Sequence, residues 1–255
     1  MCFKKKQDLK AKVKIGAVSY LNTKPLVYAF EQGAMDNQLE ITFDYPSKVA
    51  QKLQQNEIDL GLVPVAVIPK IENAQIVSDF CIATDGEVAS VCLFSDVPLH
   101  QIESILLDYQ SRTSVALLKI LLQQHWKISP VIIEATEGFE NQISGTTAGL
   151  IIGDRALLKR NAYQYVFDLG MAWKEMTGLP FVFAVWLANK ELDKVFVHQF
   201  NQSIEEGLTN IELIAKKQNF AEYDLLHYYR HNINYQFDEN KKRSLDRFLS
   251  LLKDV

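Results

Sequence analysis

The strongest indication of the fold is the segment Gly16-Ala17-Val18-Ser19-Tyr20-Leu21-Asn22-Thr23-Lys24-Pro25-Leu26. The apolar run from Val13 to Val18 predicts a buried strand, since it is short and bounded by polar residues. Thr23 is expected to cap a helix, because threonine is favoured at N-caps. Pro25 fits the first turn of that helix, where its missing N–H is not needed. The stretch therefore predicts a strand, a polar turn and a helix.

The polar turn carries Ser19, Tyr20 and Asn22 at the carboxyl end of the predicted strand. In open α/β sheets, ligands bind at the carboxyl ends of strands. These side chains are therefore candidate ligand contacts. The alternative is that Ser19 and Asn22 only satisfy hydrogen bonds of the turn and cap.

Further along the chain, strand and helix patterns alternate. The first seventy residues predict βαβαβ, and this order favours a mostly parallel sheet. A second βα series follows a break at Ser95-Asp96-Val97-Pro98. The prediction is an α/β protein of two lobes. Lobe 1 comprises residues 1–95 and 188–255, lobe 2 comprises residues 96–187, and a ligand cleft lies between them.

Composition excludes several classes of protein. The chain has 255 residues with 27 basic and 31 acidic side chains, a net charge of -4, so neither nucleic acid nor a membrane partner is expected. Cys2, Cys81 and Cys92 are too few for a disulfide framework, and Cys81 and Cys92 are expected to be buried thiols. No apolar segment suits a secretion signal or membrane span, which predicts a cytoplasmic protein.

The segment Ser111-Arg112-Thr113-Ser114 stands between a predicted strand and a strongly periodic helix. Hydroxyl groups and a guanidinium at a helix amino end suit a carboxylate or phosphate. The alternative is that Ser111 or Thr113 is a helix cap and that Arg112 is solvated. Neither glycine-rich nucleotide motif is found, so nothing marks a nucleotide cofactor.

Other candidates are isolated along the chain. Gly153 and Asp154 follow a strand, where Asp154 suits a cap or, alternatively, a catalytic acid. Ser90 lies among apolar residues without a nucleophile elbow, so it is expected to offer a hydroxyl rather than a nucleophile. His227 and His231 have a metal-binding spacing but lack the glutamate of the metalloprotease motif, and no metal is expected.

Five motifs in order resemble a known family. They are Ser19-Tyr20-Leu21-Asn22-Thr23-Lys24-Pro25-Leu26, Gly86-x-Val88-x-Ser90-Val91, Asp108-x-x-Ser111-Arg112-Thr113-Ser114, Gly153-Asp154, and Asp168-Leu169-Gly170-x-x-Trp173-x-x-x-Thr177-Gly178-Leu179-Pro180-Phe181-Val182-Phe183-Ala184. The chain resembles chorismate dehydratases of the futalosine route to menaquinone. The resemblance implies a type II periplasmic-binding-protein fold and conversion of chorismate to 3-[(1-carboxyvinyl)oxy]benzoate without a cofactor.

The resemblance also implies roles for residues at the motif positions. Asn22 and Ser90 would be catalytic, with Asn22 at the reacting edge and Ser90 at a carboxylate or the departing hydroxyl. The remaining motif positions would bind substrate: Ser19, Tyr20, Ser111, Arg112, Thr113, Ser114, Gly153, Asp154, Thr177 and Gly178. The base would be the enolpyruvyl carboxylate of the substrate or, alternatively, Asp154. A non-catalytic binder of an aromatic or dicarboxylate ligand is the rival class, and a monomer or homodimer is expected.

Overall fold

The computed structural model describes residues 11–255. Cys2 and most of the lysine-rich start lie outside the described residues. Two sheets organise the chain, with strands β1 (Val13–Val18), β2 (Leu39–Asp44), β3 (Leu60–Pro64), β4 (Gln75–Thr84), β5 (Val91–Ser95), β6 (Ser104–Leu107), β7 (Val131–Glu134), β8 (Thr147–Ile152), β9 (Tyr165–Asp168), β10 (Phe181–Ala188) and β11 (Asn234–Gln236).

Nine α-helices are present in the described part of the chain: α1 (Lys24–Glu31), α2 (Pro46–Gln54), α3 (Arg112–Leu121), α4 (Asp154–Lys159), α5 (Leu169–Thr177), α6 (Lys194–Thr209), α7 (Ile211–Lys217), α8 (Leu225–His227) and α9 (Glu239–Leu251). Short 3-10 turns cover Leu21–Thr23, Val65–Lys70, Leu99–Gln101, Phe139–Gln142 and Leu252–Asp254. Two π-helical turns follow α3 and α8, at Leu122–Trp126 and Tyr228–Asn232.

The first lobe is built on a six-stranded sheet of order β11-β4-β10-β3-β1-β2. Strand β1 pairs in parallel with β2 and β3, so the predicted parallel pairing of the first seventy residues is confirmed. Strand β10 enters antiparallel between β3 and β4. All eight residues of β10 are buried, as its continuous apolar run predicts.

The second lobe is built on a five-stranded sheet of order β7-β6-β8-β5-β9. Strand β6 is parallel to β7 and β8, whereas β5 is antiparallel to β8 and β9. Both cysteines of the described residues, Cys81 and Cys92, are buried in these sheets. The two-lobe α/β architecture predicted from the alternating pattern is confirmed.

The predicted lobe boundaries, residues 95/96 and 187/188, differ from those that the pairing of the strands gives. Strand β5 lies before residue 96 but pairs in the second sheet. All of β10 except Ala188 lies within residues 96–187, yet β10 pairs in the first sheet. The chain therefore crosses between the sheets at residues 85–90 and returns across residues 169–180. The Ser95–Pro98 break is a turn within the second lobe, where Ser95 Oγ bonds to Val97.

The opening stretch forms the strand, turn and helix that its sequence predicts, with one correction. Thr23 is the residue before α1, but its side chain makes no capping bond. Its backbone is already helical because the Leu21–Thr23 turn leads directly into α1, and its hydroxyl contacts Asn22 Oδ1 instead. Pro25 does lie in the first turn of α1. In residues 11–255, no helix is both long and apolar enough to cross a bilayer.

Helix α6 packs directly behind the Asn22 turn, because Gly207 lets it approach α1. A Cβ at Gly207 would overlap the carbonyl oxygen of Pro25. The Phe30 and Phe200 rings stack in the same interface, with centroids 5.0 Å apart. The small residue therefore sets the distance between the two helices.

Gly207→Ala is expected to destabilise the protein, although alanine is the better helix former elsewhere. The overlap with the Pro25 carbonyl should cost about 1–3 kcal/mol, the range for overpacking. Thermal unfolding would show a Tm lowered by several degrees. Glu205→Ala, on an exposed position of the same helix, serves as the control and should leave Tm nearly unchanged. A higher Tm for Gly207→Ala would contradict the packing argument.

Candidate active site

A cavity lies between the two sheets, at the carboxyl end of β1. The empty space at this cavity, open solvent at its mouth included, is about 520 Å³. Val18, Ile82 and Phe183 contribute apolar walls. The polar groups that line it are those of Tyr20, Asn22, Ser90, Ser111 and Ser114. Five predicted site residues from three separate motifs therefore meet at one cavity.

The lining carries no charged side chain among the described residues. Hydroxyl groups, an amide and the amino end of α3 are the polar groups available. Such donors suit a carboxylate ligand, since a hydrogen bond to a charged group contributes about 1.5–3 kcal/mol. The cavity therefore fits an anion that is held by neutral donors.

Asn22 is placed by contacts on both sides of the Leu21–Thr23 turn. The backbone N–H of Leu21 donates to Asp154 Oδ1 at 3.0 Å, across the two lobes. The Tyr235 hydroxyl donates to the Asn22 carbonyl at 3.0 Å. The Asn22 side chain is thereby left to face the cavity.

Ser90 is presented by a strained turn at the crossing between the sheets. Ala89 has a φ of 63°, and the N–H of Ser90 donates to the Val88 carbonyl at 2.8 Å. A positive φ at a non-glycine residue is costly and persists only where neighbours enforce it. The buried carboxylate of Asp168 supplies that enforcement, accepting from the N–H groups of Val88 and Ala89 at 3.1 and 2.8 Å.

Ser111 and Ser114 form the amino end of α3. The Ser111 hydroxyl accepts from the N–H of Ser114 at 3.2 Å and contacts the Ser114 hydroxyl at 2.9 Å. Ser111 is thus a side-chain cap, and it also lines the cavity. The two interpretations left open by the sequence, cap and ligand contact, both describe this residue.

Tyr20 separates the cavity from an outer groove that Ser19, Tyr20 and Asp154 line. Its hydroxyl donates to Gln110 Oε1 in the opposite lobe. Burial raises the pKa of Tyr20, so the phenol stays protonated at neutral pH. Its ring lies on Gly153, where a Cβ would come within 3.2 Å of it, and Gly153 has a φ of +66°. Gly153 therefore contributes space for Tyr20 rather than a group for a ligand.

Three predicted substrate contacts lie elsewhere. Ser19 is exposed in the outer groove, and Arg112 lines a different groove on the far side of Ser111. Thr113 is buried, and its hydroxyl accepts from the N–H of Ala66 at 3.1 Å. It ties α3 to the first lobe instead of lining the cavity, because its position on the helix faces Ala66.

Thr177 and Gly178 also do not line the cavity, contrary to the prediction. They end α5: the Thr177 hydroxyl donates to the Trp173 carbonyl at 2.8 Å and accepts from the N–H of Leu179 at 3.1 Å. Gly178 takes the left-handed conformation, with a φ of 72°, that closes a helix. The Thr-Gly pair is therefore a C-cap.

Asp154 opens α4 without capping it, and lies in the outer groove rather than the cavity. Burial raises the pKa of its carboxyl, while the bond from Leu21 and the charge of Lys24 lower it. Asp108, by contrast, pairs with Arg155 at 2.6 Å and accepts from the N–H groups of Gln110 and Ile152. These bonds give Asp108 a structural place in the second lobe.

His227 and His231 face each other with ring centroids 4.8 Å apart. Within residues 11–255, no group of three or more His, Cys, Asp or Glu side chains is arranged to hold a metal ion. The pair thus lacks the further ligands that a protein zinc site uses.

Sequence patterns missed the tyrosines behind the cavity. The hydroxyl of Tyr228 donates to Ser90 Oγ at 2.7 Å, although 138 residues separate them. Tyr235 holds the Asn22 carbonyl, as described above. No spacing signal could have identified either residue, because a tyrosine in a helical or strand pattern is indistinguishable from core.

A family model described as menaquinone biosynthesis, VitK2_biosynth, matches residues 13–254. The chain belongs to this family. It is 28% identical to the chorismate dehydratase of Thermus thermophilus over 261 residues, which cover 93% of this chain and 94% of the relative. It is 26% identical to the chorismate dehydratase of Campylobacter jejuni over 246 residues, which cover 93% and 96%.

Solved structures agree on the fold. Protein AF1704 from Archaeoglobus fulgidus superposes with a TM-score of 0.73 at 13% identity, covering 95% of this chain and 97% of that one. The periplasmic aliphatic sulphonate binding protein SsuA from Escherichia coli gives 0.60 at 14% identity, with 95% and 92% covered. The predicted periplasmic-binding-protein fold of this menaquinone biosynthesis family member is confirmed.

Thr113→Val is expected to lower stability. The substitution keeps the shape but leaves the N–H of Ala66 buried without its acceptor, a loss of about 1–3 kcal/mol. Thermal unfolding should show a Tm lower than that of the wild type by several degrees. Thr209→Val, on an exposed position of α6, is the matched control. An unchanged Tm for Thr113→Val would argue that its hydroxyl does not hold the two lobes together.

Proposed function

We propose that this protein is a chorismate dehydratase, a carbon-oxygen lyase that converts chorismate to 3-[(1-carboxyvinyl)oxy]benzoate and water. The observation that carries this proposal is the meeting of Asn22 and Ser90 at one uncharged cavity between the lobes. Family membership and the names of the relatives in Thermus thermophilus and Campylobacter jejuni support the same reaction.

The chemistry needs little from the protein beyond binding and orientation. The ring carbon that bears the ether loses a proton, and its neighbour loses hydroxide, so that one water leaves in total. An aromatic ring forms, which supplies a large driving force without a redox step. The protein must hold a dianion and stabilise the charge that moves from the proton site to the departing oxygen.

The hydroxyls at the amino end of α3 suit one substrate carboxylate. Ser111 and Ser114 line the cavity there, and the partial positive charge of the helix end favours an anion. Arg112 and Thr113 are assigned no contact with substrate, because Arg112 lines the other groove and Thr113 binds Ala66. Ser90 lines the same cavity, and we assign its hydroxyl to the second carboxylate or the departing hydroxyl.

The base is assigned to the enolpyruvyl carboxylate of the substrate. Asn22 can orient the reacting edge, but an amide does not remove a proton at neutral pH. Asp154, the alternative base, lies in the outer groove, and one of its carboxylate oxygens accepts a hydrogen bond from the N–H of Leu21. That bond supports a positioning role for Asp154, in which it holds the turn that carries Asn22.

Purified protein is expected to convert chorismate without added metal, giving a new benzoate-like absorbance. Asn22→Ala and Ser90→Ala should each lower kcat by about 100-fold or more, the scale for removing one oriented donor. Ser203→Ala, which removes a hydroxyl that bonds within α6 and does not line the cavity, should leave kcat unchanged. Mass spectrometry of the product would confirm the loss of one water.

Two results would contradict parts of this proposal. Tight binding of chorismate without conversion by the wild-type protein would favour the rival class, a non-catalytic binder with the fold of SsuA. Near-normal kcat in either alanine variant would remove that residue from the catalytic set. The cytoplasmic location and the oligomeric state, a monomer or a homodimer, remain predictions.

Asp154→Asn distinguishes the two candidate bases. The amide oxygen can still accept from Leu21, so kcat should stay within a few-fold of the wild-type value if the substrate supplies the base. Loss of turnover with retained chorismate binding would instead assign the base to Asp154.

The same variant tests the effect of burial on Asp154. Because burial raises the pKa of this carboxyl in the folded protein, its ionised form disfavours folding above that pKa. Asp154→Asn should therefore have the higher Tm at pH 7. The difference should shrink as the pH falls through the folded pKa, where the wild-type carboxyl takes up its proton. Paired thermal unfolding between pH 7 and pH 4 would measure it.

A further inference from the structure

The Tyr228–Asn232 turn is π-helical and directly follows α8. Such turns are rare, and they are frequent at functional sites because the extra residue redirects side chains. Tyr228, the first residue of the turn, is completely buried. Its hydroxyl reaches Ser90 Oγ at 2.7 Å from behind the cavity wall.

The hydrogen bond restricts what Ser90 can do. A serine hydroxyl has one proton to donate and two lone pairs that accept. The Tyr228 hydroxyl occupies one lone pair, so the proton of Ser90 must point elsewhere. The Val88 carbonyl is 3.4 Å away, which is long for an O–H···O bond, and the cavity lies on the open side of Ser90.

The Tyr228 hydroxyl donates in this bond, and Ser90 Oγ accepts. Burial raises the pKa of Tyr228 well above that of a free tyrosine, so the phenol keeps its proton at neutral pH. The bond from Tyr228 therefore leaves the proton of Ser90 available for a group in the cavity.

We propose that Tyr228 is a positioning residue for the dehydration: its hydroxyl fixes Ser90 as a hydrogen-bond donor into the cavity. This inference rests on the proposed function. Donation from Tyr228 polarises the Ser90 hydroxyl and strengthens the bond that Ser90 makes to the departing oxygen or the nearby carboxylate. Tyr228 itself does not line the cavity, and no proton transfer is assigned to it.

Tyr228→Phe tests the inference, since it removes one hydroxyl and keeps the ring. The variant should lower kcat by about 10-fold, the equivalent of one hydrogen bond, with KM within about threefold of the wild-type value. Thermal unfolding gives the folded fraction at the assay temperature, to which the rate is normalised. A loss of fold alone is thereby separated from a loss of turnover.

Tyr163→Phe is the matched control. It also removes one phenol hydrogen bond, from Tyr163 to the Glu140 carbonyl at 2.9 Å, but away from Ser90. Its stability loss should be of the same order, with kcat unchanged. An equal fall in kcat for both variants would show that turnover follows stability and would overturn the inference.

A double-mutant cycle with Ser90→Ala supplies the deciding measurement. If Tyr228 acts through Ser90, adding Tyr228→Phe to Ser90→Ala should change kcat by less than about twofold. Additive effects on kcat, or an unchanged kcat in Tyr228→Phe alone, would overturn the inference about Tyr228. The proposed function would still stand in either case if the wild-type protein converts chorismate. Absence of chorismate conversion by the wild type would overturn both.

Discussion

The carboxylate of Asp168 is the interaction on which the site depends. It is buried where the chain crosses between the sheets, and it accepts from the N–H groups of Val88, Ala89 and Met171. Burial raises the pKa of this carboxyl, and the three backbone hydrogen bonds oppose that shift. A buried carboxylate without these bonds would destabilise the folded protein. The bonds hold Ala89 in its left-handed conformation, and the resulting backbone turn directs Ser90 to the cavity. One carboxylate thereby couples the crossing of the chain, the start of α5 and the placement of a candidate catalytic hydroxyl.

Three polar contacts then bring the two lobes together around the cavity. Thr113 accepts from Ala66, Asp154 accepts from Leu21, and the Tyr20 hydroxyl donates to Gln110. Each uses a residue from a motif that resembles a substrate site, yet each contact is made within the protein. Thr113 and Asp154 thus tie the lobes without lining the cavity, whereas Tyr20 does both. The neutral donors are oriented by bonds within the protein: Asp154 holds the Asn22 turn, Ser111 and Ser114 bond each other, and Tyr228 donates to Ser90.

Much of the fold could be predicted because its signals are local. The run of β10 predicts a strand buried on both faces, and the Ser111 pattern predicts the start of α3 with its side-chain cap. The boundary between the lobes could not be predicted as well. Residues 91–95 are equally apolar whichever sheet they join, and sheet membership depends on long-range pairing. Likewise, Thr177 and Gly178 carry a motif whose position in the family suggested substrate, while their local chemistry is that of a helix end.

Most strands and helices, the buried cysteines, the helix amino end at Ser111 and the five family motifs could be predicted, because each depends on neighbouring residues. Which of those motif residues share a cavity depends on how distant segments pack. The tertiary structure placed Asn22 and Ser90 together, directed Thr113 and Asp154 to the other lobe, and brought Tyr228 behind Ser90 across 138 residues. The physical reason is that a hydroxyl or carboxylate can satisfy its hydrogen bonds with either protein or ligand. The choice is made by packing between distant segments, which leaves no periodic trace in the chain.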